Sequence, residues 1–249
     1  MSSEQARKPR AFWPMLITAF VVSVLLGLGI WQLDRLGAKE QLIDSVTRRV
    51  ADAAIPLPPQ SQWGTLNKPS DDFLKVSVSG EFLHDKEVYL FMLYTPPNER
   101  EPTPGHAVIT PLQREDGSLV LINRGFVPES KREPQSRPQS LVKGPVTVTG
   151  LLRLPQAHSW FDADDNVAKR LFYTRDPQAM ARAVGLDRVA PFVIEADATA
   201  NPGGWPKGGN TVVSFANNHL QYAITWFTLA LAVFGLFLIW YRQQSRPTP

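Results

Sequence analysis

The sequence predicts a membrane α-helical hairpin, two transmembrane helices flanking an external β-rich α+β domain of the antiparallel barrel or sandwich kind. Three observations carry this. Ala11 to Leu33 and Leu220 to Tyr241 contain no charged residue, and each run is close to the ~20 residues a helix needs to cross ~30 Å of hydrocarbon. Between them, short segments alternate apolar and polar residues and are punctuated by Pro and Gly, the pattern of half-buried strands. Basic residues flank both runs on the tail side, Arg7, Lys8 and Arg10 before the first and Arg242 and Arg246 after the second, so the tails belong inside and the middle outside.

The elements follow in chain order. Residues 1–10 read as a cytoplasmic tail and 11–33 as the first transmembrane helix. That run exceeds the ~7–15 residues of a signal-peptide core and ends in Gly29-Ile30-Trp31-Gln32-Leu33-Asp34 with no small-x-small cleavage site, so it reads as a retained anchor. The tail is too short and too poor in Arg for a mitochondrial transit peptide. A bacterial inner (plasma) membrane with a periplasmic central domain is the simpler location. Trp13 and Trp240 mark the inner interface and Trp31 the outer one.

Residues 34–71 read as a helical extension and Pro-rich linker, since Arg35 to Val50 keeps helical spacing until Ile55-Pro56-Leu57-Pro58-Pro59 stops it. The external domain, 72–217, has strand candidates at Phe73–Val78, Val88–Met92, Val108–Arg114, Leu119–Asn123, Val146–Leu152, Leu171–Thr174, Phe192–Glu195 and Thr211–Phe215. Glu115-Asp116-Gly117-Ser118 joins two of them as a hairpin, Asp-Gly being the turn signal. One helix opens on Asp176 as N-cap with Pro177 at its first position and closes at Gly185. Pro96–Pro104 and Glu129–Lys143 read as loops or disorder. Residues 218–241 form the second transmembrane helix and 242–249 a cytoplasmic tail.

Composition narrows the chemistry. The 249 residues include no Cys, which excludes disulfides, thiolate metal sites and iron–sulfur clusters. Lys+Arg 26 against Asp+Glu 23, a net charge of +3, is too small an excess to argue for nucleic acid. No G-x-S-x-G elbow, GxxxxGK[ST] loop or HExxH helix is present, so the chain does not read as an enzyme. Of four histidines, His84, His106 and His158 fall in the external domain without metal-ligand spacing and read as solvated surface residues.

His219 differs by position. It is the last ionisable residue before the second span and sits at the outer interface. On a helix it shares a face with Tyr222, Ala223 and Trp226, an arrangement able to hold a flat apolar ring with the imidazole on its metal. Ser23, Gly27 and Trp31 recur every four residues, a small-xxx-small face that would let the first span close against it. Trp31 would then cover the ring, and Arg35, one turn outward, would meet a carboxylate such as a haem propionate. The same aromatics equally suit helix anchoring at the headgroup level, and spacing alone leaves both readings open.

Three motifs then carry a resemblance over essentially the whole chain. Gly29-Ile30-Trp31-Gln32-Leu33-Asp34-Arg35 fits G-x-W-Q-x-x-R, and Asn123-Arg124-Gly125-Phe126-Val127-Pro128 fits N-R-G-[FW]-V-P. Asn218-His219-Leu220-Gln221-Tyr222-Ala223-Ile224-Thr225-Trp226-Phe227 fits N-x-H-L-x-Y-A-x-T-W-F, with Asn217 and Asn218 in tandem. With Gly80-Glu81-Phe82 and the Pro202–Gly209 connector, the chain resembles the Surfeit locus protein one family as a bacterial-type member. Phe126 stands where many relatives have Trp.

The resemblance implies a non-enzymatic assembly factor for haem-a-containing cytochrome c oxidase. Its cargo would be haem a received from haem A synthase, its client oxidase subunit I, and its setting the lipid bilayer, with no nucleic acid involved. The resemblance places haem binding at His219, the axial ligand to iron; Tyr222, Trp226 and Trp31 lining the ring and Arg35 at a propionate remain inferences from spacing. A cofactor-free membrane-anchored adaptor that stabilises oxidase assembly intermediates is the alternative. Arg124 reads either as part of a partner surface or as a fold-keeping contact.

Overall fold

A computed structural model describes residues 12–96, 100–160, 162–210 and 217–244. The chain divides into two compact units, Met1–Ser45 with Ser214–Pro249, and Val46–Val213.

The first unit is built on two long helices, α1 (Phe12–Ala51, 40 residues) and α4 (His219–Gln244, 26 residues). At ~1.5 Å per residue they are about 60 Å and 39 Å long, so each exceeds the ~30 Å hydrocarbon core. Both are long and apolar enough to cross a membrane, and only 6% and 11% of their most apolar stretches are buried, unlike the core helix of a water-soluble domain. α1 is uninterrupted through the segment read as span and extension. Arg48 and Arg49 favour the carbonyl end of its dipole, and Pro56 lies just beyond its end.

Among the described residues, the second unit is one mixed eight-stranded sheet. Its strands are β1 (Ile55–Pro56), β2 (Leu74–Phe82), β3 (Val88–Tyr94), β4 (Thr103–Gln113), β5 (Leu119–Pro128), β6 (Val146–Arg153), β7 (Leu171–Phe172) and β8 (Val189–Ala196). They lie in the order β1-β2-β6-β8-β5-β4-β3-β7. β1–β2, β3–β7 and β5–β8 are parallel pairs, and β2 also meets β4 at Glu81↔Gln113 and Phe82↔Leu112, so the sheet curls. This corrects the antiparallel barrel or sandwich expected from the sequence. Period two identifies strands without naming their partners, and the chain between β5 and β8 passes through β6, β7 and the helix α3 (Pro177–Ala183) before returning parallel to β5.

Both faces of the central strands are covered. Along β5, Val120 and Ile122 join Val76, Leu112, Phe192 and Ile194 in one cluster, while Leu121 joins Val88, Ile109, Phe172 and Val193 in another with Met180 and Val184 at the end of α3. The nearly unbroken apolar runs of β4 and β5 follow from this two-sided burial. The Asp-Gly hairpin forms as the sequence predicts: Gly117 takes φ 78°, and the Arg114 N–H donates to the Ser118 carbonyl at 2.9 Å. α3 starts as read, with Asp176 accepting from the N–H groups of Gln178 and Ala179 at 2.9 and 3.0 Å.

The segment Glu129–Lys143, expected to be loop or disorder, contains three short 3-10 turns (Glu129–Lys131, Pro134–Ser136, Pro138–Ser140) and buries Arg137 and Ser140. A short helix α2 (Lys68–Asp71), capped by Asn67 with Pro69 in its first turn, and β1 lie within the segment expected to be a Pro-rich linker. The strand expected at Thr211–Phe215 lies outside the described residues.

Candidate functional site

α1 and α4 meet through small residues. Gly29 on α1 lies against Phe227 on α4: a Cβ there would sit 2.5 Å from the Phe227 ring. Three residues further along α1, Gln32 reaches His219, eight residues earlier on α4, so the two helices run antiparallel. The His219 Nδ1 lies 2.7 Å from Gln32 Oε1. A carboxamide oxygen only accepts hydrogen bonds, so Nδ1 is the donor in this contact. Among the described residues no partner engages Nε2.

The buried stripe of α4 runs through His219, Ala223, Trp226, Phe227 and Ala230, with Ala223 and Ala230 nearly inaccessible. His219, Ala223 and Trp226 therefore share a face as the spacing predicts. Tyr222 turns away, 54% exposed. On α1 the inward stripe is Leu25, Gly29, Gln32 and Leu36. The small-xxx-small reading is corrected on this point: Ser23, Gly27 and Trp31 lie on an exposed face, and nothing stands within 4 Å of a Cβ on Gly27. The two stripes are offset by about 100–200° around the axis, so a periodic motif can point either way. Trp31 is 49% exposed, and the Arg35 guanidinium lies 5.6 Å from the centre of its ring. Arg35 and Trp31 thus pair with each other on an exposed face of α1.

Gln32 has no place among the site residues expected from the sequence, although it stands in the G-x-W-Q-x-x-R motif. Its signal is that it is the only carboxamide between Ala11 and Leu33, and a polar group in an apolar run needs a partner. In the structure it is buried at 9% exposure.

Among the described residues, this end of the helix pair offers one imidazole, that of His219. Among the described residues no group of three His, Cys, Asp or Glu could hold a bare metal ion. A half-buried imidazole with one nitrogen engaged and the other without a partner among the described residues suits an iron already held by a macrocycle.

Arg124 is not a partner surface. It is 2% exposed, with Nη2 donating to the Ser140 carbonyl at 2.7 Å and to Asn201 Oδ1 at 3.1 Å, and its guanidinium 4.7 Å over Phe82. Nη1 is 3.6 Å from Glu87 Oε1. Glu87, 1% exposed, also accepts from Arg137 and from Thr110 Oγ1 at 3.1 Å, and pairs with His84 Nδ1 at 3.4 Å. Burial alone pushes the Glu87 carboxyl up. Hydrogen bonds from His84 and Arg137 and the charges of Arg137 and Arg124 outweigh it and hold the carboxyl below its ordinary value. Burial pulls the Arg124 guanidinium down to about 10, still protonated at neutral pH.

The other histidines divide. His158 is exposed as expected. His84 is half-buried, its Nε2 donating to the Val142 carbonyl at 2.9 Å, and His106 is buried against Tyr89 and Phe91, its Nδ1 3.3 Å from Glu129 Oε2. Both are packing residues where the sequence reading expected solvated ones.

Comparison with known proteins agrees over most of the chain. The model of the SURF1 family matches residues 19–231. The chain is similar to Surfeit locus protein 1 of the rat, 35% identical over 240 residues that cover 92% of this chain and 75% of the rat protein. It is 33% identical to human Surfeit locus protein 1 over 244 residues, covering 94% of this chain and 76% of the human one. A SURF1-like protein of Drosophila melanogaster is 32% identical over 244 residues, covering 92% and 77%.

Proposed function

The chain belongs to the SURF1 family, and from that premise we propose that it is an assembly factor for haem-a-containing cytochrome c oxidase. It binds haem a at the outer membrane interface and assists its insertion into oxidase subunit I. The two apolar helices anchor it in the bacterial inner membrane with both termini cytoplasmic and the sheet domain periplasmic, where it receives haem a from haem A synthase. It acts as a carrier and not as an enzyme.

The observation that carries this reading is the state of His219: held through Nδ1 by Gln32 and unengaged at Nε2 among the described residues. Haem a is cargo here, and its iron supplies the one coordination position that an Nε2 lone pair fills. His219 is the ligand, and Trp226 beside it on the same stripe offers a ring face. Tyr222, Trp31 and Arg35 are exposed at the same end of the helix pair and available to the cargo's edge and propionates. A single ligand at a wet interface suits transfer, because cargo must leave again.

An absorption spectrum of the full chain, purified in detergent from cells that also make haem A, tests this. The wild type is expected to carry a haem spectrum that His219→Ala loses or shifts at matched yield. A colourless, folded wild type from those cells would instead support the cofactor-free adaptor.

A further inference from the structure

We propose that Gln32 is the positioning residue for His219: its carboxamide oxygen holds the imidazole proton on Nδ1 and so presents Nε2 to the cargo. This rests on the reading of His219 as the ligand, but the tautomer it predicts is a property of the cargo-free chain.

The argument starts from the proton count. A neutral imidazole has one N–H, and whichever nitrogen donates leaves the other as the lone-pair donor. Gln32 Oε1 stands 2.7 Å from Nδ1, a normal hydrogen-bond length. Gln32 is buried while its neighbours Trp31 and Leu33 are exposed, so the amide is aimed at the partner helix rather than at water. One turn along α1, Gly29 against Phe227 fixes how close the helices come. The bond thus joins two rigid elements, which sets the ring's orientation as well as its tautomer. A hydrogen-bonded acceptor behind a ligating imidazole also raises its basicity. A neutral amide does this less than a carboxylate would, which fits a ligand that must bind iron and then give it up.

A purely structural role for the pair is the competing account. Interhelical hydrogen bonds in membranes are weak on average, and such glue would be indifferent to which nitrogen bears the proton. The test therefore reads the proton directly. The full chain, labelled with 15N-histidine in lipid nanodiscs in alkaline buffer, is examined by long-range 15N–1H correlation without haem. His219 is expected in the Nδ1–H form in the wild type, displaced toward Nε2–H in Gln32→Leu, and restored in Gln32→Glu. Ferric haem b is then titrated into each as the probe, with affinity about 10- to 100-fold weaker for Gln32→Leu and recovered in Gln32→Glu.

An Nε2–H wild type, or a tautomer that Gln32→Leu leaves unchanged, overturns the proposal whether or not haem binds. Haem affinity that follows the tautomer across the three proteins supports it. Should the tautomer respond as expected while His219→Ala binds haem as well as wild type, control by Gln32 is supported and the ligand reading alone is overturned.

Discussion

Glu87 shows how a single residue ties the external domain together. Its carboxylate is buried among Arg137, Arg124, Thr110 and His84, drawing β3, β4, β5 and the Glu129–Lys143 segment to one point. Breaking such a pair from one side leaves a buried charge short of compensation. Arg137→Ala is expected to destabilise the domain by about 3 kcal/mol, read as a lower denaturant midpoint in the detergent-solubilised chain. The sign of the pH dependence follows from the depressed carboxyl. Its contribution is fully present above the ordinary carboxyl value of 4.5 and is lost as pH falls below it through the folded value. Acid unfolding should therefore be less steep in Glu87→Gln than in wild type, and equal slopes would remove Glu87 from this role. The sequence showed Asn123-Arg124-Gly125 as a motif, but not its purpose, because the partner carboxylate stands 37 residues earlier and only the β3–β4–β5 register brings it near.

At the scale of elements, the pairing of α1 with α4 depends on which small residues face inward. Gly29 is packed against Phe227 and Gly27 is open, although the two are neighbours in sequence. Gly29→Leu is expected to push the helices apart and shift or abolish the haem spectrum, whereas Gly27→Leu leaves it unchanged. The reverse order would show that the helices pair through the Ser23-Gly27-Trp31 face after all. In the sheet, Gly125 takes φ 114°, and a Cβ there would collide with the Lys207 carbonyl, where Phe126 and Lys207 exchange backbone hydrogen bonds at 2.8 and 2.9 Å. Gly125→Ala combines this clash with an unfavourable φ and should cost about 3 kcal/mol, measured as a drop in denaturant midpoint. Strand positions, the hairpin and the α3 cap were legible because each is written in adjacent residues. Strand order was not, since it depends on pairings between residues far apart in the chain.

For the whole molecule, the proposed topology, doubly anchored with the sheet domain outside, rests on the two apolar helices and their basic flanks. The absence of Cys from the sequence makes this simple to examine, because an introduced thiol has no background. In intact cells stripped of their outer membrane, a membrane-impermeant maleimide should label Gln62→Cys and not Gln243→Cys. Labelling of the second alone would invert the topology and place His219 at the inner face. The site was only half legible at this scale. The position of His219 at a membrane interface stands out in the sequence, but its partner lies 187 residues away, and a lone carboxamide in the first apolar run signals that Gln32 needs a partner without saying which one.

The central claim is that His219 ligates the iron of the cargo, and the iron–nitrogen stretching band of the ferrous, haem-loaded chain tests it most directly. Resonance Raman spectra of wild type grown with ordinary and with 15N-labelled histidine should show a band that moves to lower frequency with the label and is missing in His219→Ala. A label-sensitive band that persists unchanged in His219→Ala, or a band indifferent to the label, would contradict the account.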